Sequence, residues 1–87
     1  MSDFMVVSTF KPATDMAKVM ALVEEEKAAV VQLKQAGRIG SIFLAVPQGK
    51  VFIEALNTDQ AGALDAVRDL PMSVFWDLEA FALSGRA

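Results

Sequence analysis

Proline, glycine and helix-capping residues cut this chain into six segments, and the order of those segments is its tightest constraint. Residues 4–10 are rich in β-branched and aromatic side chains and predict a strand. Lys11-Pro12 ends it, because proline cannot donate to a ladder. Thr14 or Asp15 caps a helix predicted to run to about Ala36, where Gly37 supplies the stop. Residues 41–46 and 51–56 predict two strands, joined into a hairpin by the turn signal Pro47-Gln48-Gly49. Asn57, Thr58 or Asp59 opens a second helix with Leu64, Val67 and Leu70 on one face, and Pro71 closes it. Residues 74–83 predict a last strand. The order β-α-β-β-α-β, with short connections and right-handed crossovers, leaves few arrangements. The best is an α+β, ferredoxin-like (split β-α-β) domain over residues 1–87. It has an antiparallel four-stranded sheet with both helices on one face.

Such a sheet is covered on one side only, yet the last strand is apolar on both. Val74, Trp76, Leu78 and Ala80 alternate with Phe75, Asp77, Glu79 and Phe81. A strand with one wet face would alternate cleanly. The chain is 54% apolar, and a chain of this length buries only about 60–65% of the surface its unfolded form exposes. Pattern and composition together predict that a second copy packs sheet against sheet, making a homodimer or a larger homo-oligomer.

The charge balance excludes other partners. Eight Lys and Arg against 11 Asp and Glu give a net charge of −3, whereas phosphate binding needs clustered positive charge. Nucleic acid is therefore not an expected partner. No apolar run approaches the about 20 residues of a spanning helix, so no membrane partner is expected either. Met1-Ser2-Asp3-Phe4 lacks the positive start of a signal peptide, and a cytoplasmic location follows as the expectation. With no Cys and no His, thiol nucleophiles, thiolate metal sites and the commonest general base are missing. No cofactor and no metal are expected. Ser8, Ser41, Ser73 and Ser84 have no His to activate them, which excludes a Ser-His-Asp hydrolase.

The first helix carries the most specific signal. At 100° per residue, Met16, Val19, Met20, Leu22, Val23, Val30, Val31 and Leu33 form one broad apolar arc. Lys27 falls near the middle of that arc, Lys34 close to it, and Glu26 inside it nearer one edge. A buried charge must be paired or stand in a wet cleft. Either the lysine stems snorkel to solvent, or Glu26 and Lys27 line a pocket between helix and sheet. In the second case Glu26 is a candidate proton-transfer group and Lys27 its electrostatic partner, with Phe43 and Trp76 as candidate pocket walls. Glu54, Asp77 and Glu79 read either as strand charges that serve solubility or as an acidic interior to the dimer, paired with Lys50 or Arg38.

Several short motifs in order resemble the muconolactone isomerase family. They are Glu25-Glu26-Lys27, Leu33-Lys34-Gln35-Ala36-Gly37-Arg38, Gly49 before a strand ending near Glu54, Ala63-Leu64, and Leu70-Pro71-Met72. The run from Leu70 to Glu79 is similar to that family's Leu-Pro-Leu-x-Pro-x-x-Asp-x-Glu ending, with Asp77 and Glu79 in place and Val74 where the second proline is common. The resemblance implies a dimeric α/β barrel and a cofactor-free isomerase, which moves a ring double bond in an unsaturated lactone by proton abstraction and return. It also implies that the family's helix Glu-Lys pair falls on Glu26 and Lys27. The family's hairpin usually carries a His-Leu-Trp-Arg type segment where this chain has Ser41-Ile42-Phe43-Leu44, so the cleft is expected to be more apolar. Two other functions fit the same scaffold. One is a non-catalytic ligand-binding or assembly subunit; the other, by fold analogy, is a cofactor-free oxygenase or polyketide-modifying enzyme.

Overall fold

The computed structural model describes residues 1–85. The strands are β1 (Ser2–Phe10), β2 (Ile39–Ala45), β3 (Lys50–Thr58) and β4 (Trp76–Ala82). The helices are α1 (Met16–Met20), α2 (Val23–Gln35) and α3 (Gln60–Arg68). The four strands form one antiparallel sheet in the order β2-β3-β1-β4, the α+β arrangement that the segment order predicts. The two central strands carry the core: Val6 faces Ile53 across the β1–β3 pair, and both are fully buried. Burying side chains of this size contributes roughly 1.5–3 kcal/mol each.

Two differences from the sequence reading bear on the site. The first helix is divided at Ala21–Leu22, where the Leu22 N–H takes a tighter bond to the Val19 carbonyl three residues back. The last strand starts at Trp76 rather than residue 74, because a 3₁₀ turn (Pro71–Phe75) follows Leu70. Pro71 opens that turn without cost, since the first turn of a helix has no use for its missing N–H.

Local chemistry explains the turns. The Asp15 carboxylate caps α1 at the Ala17 N–H, and Asp59 caps α3 at the Gly62 N–H. Gly49 closes the hairpin with φ +65°, a left-handed conformation that glycine adopts without a Cβ penalty. Between Ile39 and Ile42 the β2–β3 register slips, so Gly40 and Ser41 together oppose Glu54. The freed Ser41 N–H donates to Glu54 Oε1 at 2.8 Å.

The slip decides which β2 side chains face the helices. Ile39, Ile42 and Leu44 lie over Ala55, Ile53 and Val51 on the helix-covered face. Phe43 pairs with Phe52 on the opposite, open face. In β4, Trp76, Leu78 and Ala80 face the helices, while Asp77, Glu79 and Phe81 face away. The open face thus carries Met5, Val7, Phe43, Phe52 and Phe81, with Phe43 55% and Phe81 48% exposed. It is the two-sided apolar sheet expected from the last strand. Among the described residues, no helix is long and apolar enough to cross a membrane.

Candidate functional site

Helix α3 lies close on the sheet because its inner face is small: Ala63, Ala66 and Val67 are all buried. The inner face of α2 comprises Glu26, Ala29, Val30 and Leu33, of which only Leu33 is buried. Near α1 and the start of α2 the layers leave a gap, which forms a cleft of two adjoining chambers. The larger, about 450 Å³, is lined by Met16 and Met20 of α1, Phe10, the end of the β2–β3 hairpin, Met72 and Trp76. The smaller, about 260 Å³, lies beneath α2 and is lined by Glu26, Val30, Ile42, Ile53 and Leu70. Leu44, Val51, Met72 and Trp76 form walls of both chambers. The combined cleft falls in the size range of small-molecule sites, about 300–1,000 Å³. It is almost wholly apolar.

Among the described residues, one carboxyl side chain enters this apolar space. Glu26 is half-buried, and its Oε1 accepts a hydrogen bond of 2.9 Å from the Met72 backbone N–H. Burial raises its pKa above the ordinary glutamate value, and the Met72 hydrogen bond only partly opposes that. An amide donor stabilises the carboxylate, but the apolar walls withhold the water a full charge needs.

The four residues singled out in the sequence are not brought together. Glu26 and Trp76 share the smaller chamber. Lys27 does not sit near the middle of the buried helix face: its side chain is 69% exposed, and its ammonium lies 3.6 Å from the still more exposed Glu24. Met20 and Val31 explain the displacement. Both are apolar yet mostly exposed, so the buried helix face lies away from the side that carries them and Lys27. Lys34 is exposed for the same reason. Phe43 is not a cleft wall, because the strand alternation sends it to the open face between Ile42 and Leu44.

Leu44, Val51, Met16, Met20 and Met72 are cleft residues that the sequence did not single out. The parity of Ile42 and Leu44 with Ile39 was a usable signal only once the slip at Gly40–Ser41 was known. Lys50 borders the larger chamber, but its ammonium donates to Thr9 Oγ1 at 2.8 Å on the other side of the sheet. Arg38 is ion-paired to Asp69 at the far end of α2. No cluster of three potential metal ligands occurs among the described residues.

The arrangement defines a class: an α+β sheet domain with an apolar, helix-covered cleft served by a glutamate carboxyl. No protein-family model and no curated protein sequence matches the chain.

Proposed function

We propose that this chain is a small cofactor-independent isomerase of the muconolactone isomerase type, which holds a small cyclic, lactone-like molecule in the helix-covered cleft and moves its double bond by proton transfer. The observation that carries this reading is the Glu26 carboxyl, half-buried at the wall of an otherwise apolar chamber and raised in pKa by that burial. A general base works best when its pKa approaches the working pH. In the reaction, the Glu26 carboxylate takes the proton from the carbon between ring carbonyl and double bond. The C–H electron pair passes into a dienolate. The carboxyl then returns its proton at the far end of the conjugated system. Substrate and product are isomers, and nothing else is consumed. The Met72 N–H holds one carboxyl oxygen in place and leaves the other free for the proton.

A suitable probe is α-angelica lactone, a five-membered lactone whose double bond lies out of conjugation with its carbonyl. Proton NMR should record its conversion to the conjugated isomer faster with protein than in buffer alone. Equal rates over a range of protein concentrations would contradict the proposal.

The same cleft supports a second reading, a ligand-binding subunit without catalysis. Its support is the position of Lys27, whose ammonium lies in solvent and offers no charge to a dienolate in the cleft. Saturable lactone binding with no turnover would favour it. Under either reading, we propose that a second copy covers the open sheet face. Phe43, Phe52 and Phe81 supply apolar area there, while Lys50 and the carboxylates Asp77 and Glu79 supply charges of both signs for a twofold-related partner to oppose.

A further inference from the structure

Resting on the ligand-binding reading of the cleft, we infer that its occupant is an uncharged, ring-sized molecule bearing a carbonyl-type oxygen, and that this oxygen accepts the hydrogen bond that Trp76 Nε1–H lacks within the protein.

The first support is an unpaired donor. Trp76 is 4% exposed and forms a wall of both chambers, and its Nε1–H is buried without an acceptor. The large majority of buried side-chain polar groups in folded proteins have a partner, and an orphaned donor keeps its full desolvation cost. The other buried side-chain atom without a partner among the described residues is Ser8 Oγ. Ser8 pairs with Leu78 and Phe10 with Trp76, so Ser8 and Trp76 occupy diagonal positions on the same helix-covered face. The unsatisfied polarity is therefore concentrated in one region of the sheet, under the cleft.

The second support is the charge of the lining. Among the described residues, the one cation lining the cleft is Lys50, and its ammonium is held by Thr9 Oγ1 on the other side of the sheet, while the Lys27 ammonium lies in solvent. The ionisable group facing the smaller chamber is the acid Glu26. An anionic ligand would set its charge beside that carboxyl in apolar surroundings with no counter-charge, where desolvation goes uncompensated. A neutral oxygen meets no such penalty. The third support is adaptability. Met72 shares both chambers with Trp76, and Met16 and Met20 line the larger one. Unbranched thioether side chains rearrange readily around a ligand and so permit access to a donor now sealed from water.

Trp76 is the sole tryptophan, so the chain has a single indole N–H signal, and the test is a two-dimensional NMR titration of the full chain at neutral pH, with ¹H–¹⁵N spectra for the indole and ¹H–¹³C spectra for the methyl groups. Three probes of similar shape separate the contributions: acetophenone, α-methylstyrene, which replaces its oxygen with carbon, and benzoate, which is charged. Acetophenone is expected to move the indole proton downfield and to bind at least tenfold more tightly than benzoate. α-Methylstyrene is expected to shift the Leu44, Val51 and Met72 methyl signals without that downfield movement. Benzoate binding as tightly as acetophenone, or acetophenone filling the cleft with the indole proton unmoved, would overturn the inference while leaving the cleft reading intact. Methyl signals unmoved by all three probes would overturn both.

Discussion

Glu26 Oε1 accepts a hydrogen bond from the Met72 backbone N–H at 2.9 Å, and this contact ties α2 to the 3₁₀ turn ahead of the last strand. It also fixes the sign of a pH effect. Burial raises the Glu26 pKa in the folded chain, so folding favours the protonated carboxyl. The stability this contributes is complete below about pH 4.3, where an unfolded glutamate titrates. It is lost as pH rises through the higher folded value. Glu26→Gln keeps the acceptor oxygen and removes the charge. Its melting temperature should match wild type in acid and exceed it at neutral pH. A gap that stays constant from acid to neutral would contradict the burial argument.

The two adjacent charged residues of α2 should behave oppositely in turnover. Glu26→Gln removes the proton-transfer group, and the rate of lactone isomerisation should fall by about 10²–10⁴ with the circular-dichroism spectrum unchanged. Lys27→Ala alters an exposed side chain whose ion-pair partner is itself solvated. Its rate should stay within about twofold of wild type and its stability within about 0.5 kcal/mol. A large loss for Lys27→Ala would return the ammonium to the mechanism.

Ile53 is fully buried on β3 between Val6 on β1 and Ile42 on β2, and it lines the smaller chamber. Ile53→Ala should destabilise the chain by about 2–5 kcal/mol in urea unfolding. The chamber next to it also widens, so ligand affinity should change along with stability. A cost below about 1 kcal/mol would mean that this part of the core is loosely packed.

The open sheet face makes a prediction about mass. Wild type should sediment at a multiple of the 9.4 kDa chain. Phe43→Lys sets a cation in the apolar patch and leaves the helix-covered face untouched. It should weaken self-association by at least about tenfold, equivalent to about 1.4 kcal/mol. Wild type sedimenting as a 9.4 kDa particle at micromolar concentration would remove the partner copy from the account.

The strand order was legible because each segment boundary carries a residue with one physical meaning: Pro12, Gly37, Gly49, Pro71. Glu26 was legible because a charge among Val23, Val30 and Leu33 has few neutral explanations. Lys27 and Phe43 were misplaced for different reasons. Hydropathy records what a side chain prefers, and a small domain leaves many apolar groups exposed. Met20 at 65% and Val31 at 53% exposure therefore blurred the helix face. The Gly40–Ser41 slip set the parity of Phe43, and no turn residue announced it. The division of the first helix at Ala21–Leu22 was equally silent, since both residues are good helix formers.

The most direct measurement is the ionisation of Glu26 itself, followed by ¹³C NMR of its side-chain carboxyl, with the Glu26→Gln variant assigning the signal. The account predicts a midpoint above the ordinary glutamate value, and a further rise when acetophenone expels the remaining water from the cleft. A midpoint at the ordinary value, unmoved by saturating ligand, would show a carboxyl open to solvent and would contradict the assignment of this cleft as the site.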